Sequence, residues 1–310
     1  MGKKVVIIGS GYVGSTTAYT MLTGHTADEI VLIDANQDKA EGDALDMNHG
    51  MSFLPPVKLY AGSYPDCADA SLIILTAGAA QVPGEKRLEL TGRNKKACDD
   101  ILTSLAPHLS EEAILLVVTN PVDVLTQYVL EATGLPKEQV IGSGTVLDTS
   151  RLKWAIAEHV GVDPRDVHAF IVGEHGDSAV PFFSAASVSG MRLCDYCARC
   201  GGCGYHSDLF TIGENITQAA YEIIAKKGAT YYAVALAVNR IAESILRDQK
   251  AVLTVSGRSD VYNTCLSLPR IIGAKGIESL WNISYSTSEQ DALQKSAEII
   301  KRACRKEAVR

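Results

Sequence analysis

Lys4-Val-Val-Ile-Ile-Gly-Ser-Gly-Tyr-Val-Gly14 is the stretch whose reading decides the fold. Lys4 to Ile8 is a β-branched run, as expected of a strand buried on both faces of a parallel sheet. Gly9-Ser-Gly11-Tyr-Val-Gly14 follows, and Ser15 to Leu22 reads as a helix. In that context G-x-G-x-x-G has a physical meaning: Gly9 makes the tight turn, Gly11 lets backbone approach a pyrophosphate, and Gly14 lets helix and strand pack closely. The helix N-terminus offers free N–H groups and a positive dipole end to the phosphates. A second apolar run, Glu29 to Ile33, ends at Asp34. An acid there can accept both hydroxyls of an adenosine ribose and would repel a 2′-phosphate, which favours NAD over NADP; alone, Asp34 could equally be a helix N-cap.

Val57 to Ala61, Ser71 to Thr76 and Ile114 to Val118 read as further strands. Five strands with intervening helices predict an α/β chain with a Rossmann-type doubly wound parallel sheet, its ligand outside the carboxyl ends of the strands. Two of these strands run into Thr76-Ala-Gly78-Ala79 and Thr119-Asn120-Pro-Val-Asp123. The boundary falls in Gly142-Ser-Gly-Thr-Val146, giving an NAD-binding domain over 1–143 and an α+β substrate and catalytic domain over 144–310. In the second domain Leu147 to Val160 reads as a helix and Val167 to Val172 as a strand. Tyr205 to Arg247 reads as a long helical region broken near Gly228. Ala251–Ser256, Val261–Leu266 and Arg270–Ile272 read as antiparallel strands with turns at Gly257 and at Gly273 to Gly276. Ser286 to Arg305 reads as an amphipathic helix with Ser288 as its cap.

The chain has 310 residues, 46% hydrophobic and 21% charged, enough for a large core in two lobes. Its formal charge of −7 argues against a general nucleic-acid binder. Val5 to Ile8 is too short for a signal core, and no apolar run is long enough to span a bilayer. The expected compartment is the cytoplasm, where the eight cysteines would be reduced thiols.

Val172-Gly-Glu-His175-Gly-Asp-Ser178 puts one histidine between two glycines and two carboxylates, where a strand runs out. Histidine exchanges a proton near neutral pH without prior perturbation. By itself the stretch fits a polar turn as well as a catalytic loop.

Taken in order, several motifs agree. Gly9-Ser-Gly-Tyr-Val-Gly14, Thr76-Ala-Gly-Ala79, the Gln81 to Arg87 loop, Thr119-Asn-Pro-Val-Asp123, Leu147-Asp-Thr-Ser-Arg151, Gly173-Glu-His-Gly-Asp177 and Lys227-Gly-Ala-Thr-Tyr-Tyr232 span essentially the whole chain. Together they resemble the L-lactate dehydrogenase branch of the lactate/malate dehydrogenase family. The resemblance implies reversible NADH-dependent reduction of a 2-oxo acid, pyruvate to L-lactate, by a cytoplasmic homotetramer working in glycolysis and fermentation. It makes His175 the acid/base, oriented by Asp148. Arg151 would clamp the substrate carboxylate, and Arg87 would polarise the carbonyl from a closing lid. Asn120 and Thr230 would complete the substrate pocket. On residue chemistry alone, Asp148 could be an acid favoured by a helix dipole and Arg87 a solvated surface cation. The resemblance also implies cofactor contacts at Gly9, Gly11, Val13, Gly14, Asp34, Lys39, Tyr64, Gly78, Ala79, Thr119, Asn120 and Ser143. It further implies a fructose 1,6-bisphosphate site between subunits, where His168 matches the pattern and Lys153 stands in place of an arginine. Alternatives are a related 2-hydroxyacid or malate dehydrogenase, and a non-catalytic NADH-binding redox sensor.

The last alternative draws on Cys194, Cys197, Cys200 and Cys203, at strict x₂ spacing, a run the family pattern does not require. Such thiols could hold zinc or an iron–sulfur cluster, or lie reduced in a surface helix and loop. No metal site is assigned.

Gln81 selects the substrate within this resemblance. Malate dehydrogenases of similar build carry an arginine there for the second carboxylate of oxaloacetate. A neutral glutamine would leave that charge unpaired. Gln81→Arg is therefore expected to raise the ratio of kcat/KM for oxaloacetate to that for pyruvate; an unchanged ratio would contradict the assignment.

Overall fold

The computed structural model describes residues 3–79, 87–200 and 205–308. Its frame follows from how the apolar strands are buried. In β1 (Lys4–Ile8), Val5 and Ile7 face one core and Val6 and Ile8 another. The same alternation runs through β2 (Glu29–Ile33), where Ile30 and Leu32 lie opposite Val31 and Ile33. A strand apolar on both sides has to be covered on both faces, and the connecting segments do this. Helices α1 (Tyr12–Thr23) and α2 (Gln37–His49) pack their buried residues into the first core. Strands β3 (Lys58–Ala61) and β4 (Leu72–Leu75) precede α3 (Arg87–Leu105), which packs into the second core with α4 (Val122–Thr133). Between those two helices lies β5 (Ile114–Val117).

A sixth parallel strand, β6 (Val140–Gly142), pairs with β5. The parallel order is β6-β5-β4-β1-β2-β3, the doubly wound Rossmann arrangement expected, with six strands where the sequence reading found five. At three residues, β6 is too short to carry a periodic signal.

The chain continues through α5 (Val146–Val160) into five two-residue strands, where the sequence predicts a single strand. Val167 to Val172 divides into β7 (Val167–His168) and β8 (Ile171–Val172). β8 pairs with β9 (Val180–Pro181), whereas β7 pairs with β10 (Ser187–Val188), itself paired with β11 (Met191–Arg192). Then come α6 (Leu193–Cys200), α7 (Tyr205–Lys227) and α8 (Tyr232–Leu246). The break between α7 and α8 falls at Gly228, whose φ of +84° is open to glycine and strained for other residues.

Strands β12 (Ala251–Ser259), β13 (Thr264–Gly273) and β14 (Gly276–Leu280) are antiparallel and extend the main sheet through contact of Ser256 with Gly142. The two strands expected at Val261–Leu266 and Arg270–Ile272 are one: Ser267 to Pro269 stays in the ladder, with Pro269 opposite Thr254, and the turn expected at Gly273 to Gly276 leads into β14, which the sequence does not predict. Nine strands thus form one sheet shared by both halves of the chain. Gly257 is not a turn: it is paired with Leu266 inside β12, and a Cβ there would lie 2.5 Å from Ile277. The last helix, α9 (Thr287–Ala308), is capped by Ser286 and not Ser288. Ser286 Oγ accepts from Glu289 N at 3.3 Å while Glu289 Oε2 accepts from Ser286 N at 2.7 Å, a reciprocal box that needs the acid three residues past the cap. No helix among the described residues is long and apolar enough to cross a membrane.

Candidate active site

Three loops meet at the carboxyl ends of β1, β4 and β5, and short polar side chains tie them together. Thr76 Oγ1 donates to Gly9 O at 2.8 Å, and Thr119 Oγ1 donates to Ala77 O at 2.7 Å. Gly9 sits at φ +108°, and a Cβ on Gly14 would fall 1.8 Å from Gly9 O, so turn and helix touch as the motif requires. A Cβ on Gly11 would meet nothing within 4 Å. The backbone there is open to a ligand, and the first turn of α1 carries no acid to repel an anion. Asp34 accepts from Ser10 N at 2.6 Å and Asn36 N at 2.9 Å. It is therefore fixed against the glycine loop, and Asn36, not Asp34, caps α2. Each carboxylate oxygen keeps a lone pair for a ribose hydroxyl. These residues fit a bound NAD.

The other expected cofactor residues surround this crevice unevenly. Val13 packs onto the first core and Ser143 is buried beyond β6, its N–H donating to Val117 O at 2.8 Å. Lys39 pairs with Asp43 at 2.7 Å, and Asp43 also accepts from Ser10 Oγ. Tyr64 lies in a short turn after β3, packed on the second core. Gly78 touches Thr119, where a Cβ would come within 2.4 Å of Cγ2.

His175 lies in the loop joining β8 to β9. Gly173 opens this loop at φ +88°, where a Cβ would sit 2.6 Å from Ser296 Oγ of α9. Thr149 Oγ1 accepts from Ile171 N at 2.9 Å and Thr145 Oγ1 donates to Ile171 O at 2.5 Å, so the start of α5 is bolted to β8. That brings Asp148, in the first turn of α5, beside the histidine loop. Asp148 Oδ2 is 2.6 Å from His175 Nδ1, and its Oδ1 accepts from Arg151 Nη1 at 2.8 Å.

Asp148 has 8% of its side chain open to solvent and His175 25%, so the pair is held in a low dielectric with the imidazole still reachable. Burial pushes the Asp148 carboxyl up, but the charges of His175 and Arg151 hold it below the usual carboxylate range. Burial pushes the His175 imidazole down; Asp148, with Asp123 adding in the same sense, overrides this and leaves it above its ordinary value. An imidazole held at Nδ1 keeps Nε2 for proton exchange.

Asn120 is exposed at the end of β5, and its carbonyl accepts from Asn94 Nδ2 at 2.7 Å. Thr230 lies partly buried at the α7–α8 junction, beside Tyr231. The Tyr231 ring stacks on Tyr12 of the glycine loop at 5.2 Å between centroids, which brings that junction to the cofactor crevice. Gln81 and the Gln81 to Lys86 part of the lid lie outside the described residues; Arg87 begins α3, with its side chain outside them.

Lys153 sits on α5 near Arg240, where burial and the second cation push its ammonium down, and His168 is exposed on β7, which packs against α5. Cys194 and Cys197 lie on α6, Cys197 buried in the core beneath it; Cys203 and the Cys200 side chain fall outside the described residues. Among the described residues no cluster of three or more His, Cys, Asp or Glu could hold a metal ion.

Sequence reasoning gave no role to Asn94, Asp123 or Ser296. Asn94 is buried and accepts from Ala79 N at 2.7 Å, linking that loop to Asn120. Ser296 accepts from Glu174 N at 2.8 Å. Asp123 accepts from His175 N at 2.8 Å and from Ser256 Oγ at 2.6 Å. Asp123 stood in view in the Thr119 to Asp123 motif; the other two carried no local signal.

The family model described as "lactate/malate dehydrogenase, NAD binding domain" matches residues 3–142. Its "alpha/beta C-terminal domain" counterpart matches residues 145–309. The chain is 48% identical over 303 residues to an L-lactate dehydrogenase of Acetivibrio thermocellus, covering 96% of this chain and 95% of that one. It is 49% identical over 302 residues to one from a Thermoanaerobacter species, with 96% and 97% covered. Among solved structures, the minor L-lactate dehydrogenase of Enterococcus mundtii in a ligand-bound form is similar with a TM-score of 0.94 at 38% identity, covering 99% of this chain and 98% of that one.

The linked titration of Asp148 and His175 has a stability signature. A raised imidazole pKa contributes stability fully present below the unfolded value near 6.5 and lost as pH rises through the folded value. A lowered carboxyl pKa contributes stability present above about 3.9 and lost on acidification. Asp148→Asn is thus expected to destabilise the fold by on the order of 2 kcal/mol. The difference in Tm from the unsubstituted protein should be widest between about pH 4 and 6.5; a difference independent of pH would contradict the pairing. With crevice, histidine–carboxylate pair and full-length matches in agreement, the chain belongs to the lactate/malate dehydrogenase family and is an NAD-dependent oxidoreductase.

Proposed function

We propose that the chain interconverts pyruvate and L-lactate, with His175 as the acid/base. The observation that carries this reading is the Arg151–Asp148–His175 chain of hydrogen bonds, at 2.8 and 2.6 Å. The full-length relatives named L-lactate dehydrogenase support it, as does neutral Gln81. NADH, when bound, supplies a hydride to the substrate carbonyl carbon. His175 in its charged form gives its Nε2 proton to the carbonyl oxygen, so the 2-oxo acid gains one hydride and one proton and leaves as the 2-hydroxy acid. Asp148 holds Nδ1–H and stabilises the imidazolium before transfer. Arg151 commits Nη1 to Asp148 and turns the rest of its fork to the substrate carboxylate. Asn120 and Thr230 line the pocket, and Arg87 on a closing lid polarises the carbonyl. In the oxidation direction neutral His175 takes the hydroxyl proton.

An activating site for fructose 1,6-bisphosphate at His168 and Lys153 belongs to the same proposal. The nearness of Arg240 to Lys153 supports an anion there.

The test follows NADH absorbance with pyruvate, oxaloacetate and 2-oxoisocaproate in parallel, with and without the bisphosphate. Pyruvate is expected to lead oxaloacetate in kcat/KM by about tenfold or more, since an unpaired second carboxylate on closure costs at least ~1.4 kcal/mol. The bisphosphate is expected to lower the pyruvate concentration at half-saturation. Preference for another acid overturns the pocket assignment; NADH binding without turnover overturns the catalytic one; an unmoved saturation curve removes the activator.

A further inference from the structure

Behind the histidine loop lies a carboxylate that the proposed reaction does not use. Asp123 sits in the first turn of α4, three residues after Asn120, with 2% of its surface exposed. Its Oδ2 accepts from the main-chain N–H of His175 at 2.8 Å and its Oδ1 from Ser256 Oγ at 2.6 Å. One side chain thus joins the turn bearing Asn120, the loop bearing His175 and strand β12 of the shared sheet. The residue before His175 in the loop is held separately, Glu174 N donating to Ser296 Oγ. His175 is therefore fixed at its ring by Asp148 and at its main chain by Asp123.

We propose that Asp123 is a positioning residue for His175, holding its main chain and setting a second buried carboxylate under the histidine loop. The inference rests on the acid/base reading of His175. It adds to that reading a residue that acts on the histidine without touching substrate. The charged and titratable groups around the pair are Asp148 and Arg151 on α5, Glu174 in the loop, Cys265 on β13 and Cys304 on α9. Asp123 and Glu174 repel each other, whereas both Asp123 and Asp148 favour the charged imidazole. Burial pushes the Asp123 carboxyl up to about 6, against the hydrogen bonds from Ser256 and His175 that pull it down. Its charge, and with it the support it lends His175, is lost on acidification through that value.

Asp123→Asn separates charge from shape. An asparagine can accept from His175 N through Oδ1 and donate to Ser256 Oγ through Nδ2, keeping both bonds while removing the charge. His175 is followed by NMR titration of its ring, which needs no substrate, and by the pH profile of pyruvate reduction. In Asp123→Asn the His175 pKa is expected to fall by roughly one unit. On the alkaline limb kcat/KM should drop about tenfold, with the KM for NADH unchanged. Ser256→Ala, which unhooks Oδ1 alone, is expected to move His175 in the same direction by less, and stands in if the first variant does not fold. A His175 titration unmoved in whichever of the two folds overturns the proposal, even if Tm falls, because a purely structural role would leave the titration where it is. Loss of pyruvate turnover in the unsubstituted protein would overturn the acid/base reading instead, and the titration would still report on Asp123.

Discussion

The hydrogen bond of 2.6 Å between Asp148 and His175 is the interaction on which the remaining chemistry depends. A carboxylate this deeply buried is unfavourable alone, because few solvent dipoles reach it. It is tolerated because Arg151 and His175 both donate to it and because it lies in the first turn of α5, where the helix dipole favours negative charge. The same arrangement makes the imidazole easier to protonate than an isolated histidine. One bond thus links stability and the charge of the site.

The fold brings these groups together by joining two kinds of sheet. The parallel strands place the glycine loop and Asn120 at one edge, as the alternation of buried residues dictates. The antiparallel strands continue the same sheet past β6, so Ser256 on β12 lies within reach of Asp123 on α4. Gly173 bridges to Ser267 of β13, with bonds of 2.8 and 2.9 Å, which anchors the base of the histidine loop to that sheet. The glycine-loop crevice and the His175 loop are therefore carried on one hydrogen-bonded framework.

Much of this was legible in the residues. Apolar runs buried on both faces and the tight packing of Gly9 against Gly14 follow local rules, and the structure matches them. The pairing of Asp148 with Arg151 is a helical i, i+3 relation, readable from spacing alone. The differences between expectation and structure have local physical causes. Val140 to Gly142 is too brief to show a period. Gly257 looks like a turn, but it is a glycine because Ile277 and the Arg270 guanidinium crowd the space a side chain would need. Ser288 resembles a cap, yet the acid that closes the box is spaced from Ser286. Asn94, Asp123 and Ser296 act through partners 26, 52 and 122 residues away, and nothing in their neighbourhoods along the chain announces those partners.

In the proposed reaction His175 carries the proton, held by Asp148 in a state biased toward the charged form. The most direct test is the pH dependence of kcat/KM measured in both directions on one preparation. On that proposal pyruvate reduction needs charged His175, so its rate should be level at low pH and fall about tenfold per unit above the raised imidazole pKa. Lactate oxidation needs the neutral form and should rise over the same interval and then level off. Mirror-image limbs sharing one inflection above 6.5 are the predicted result; profiles that are flat, or that bend the same way in both directions, would contradict it.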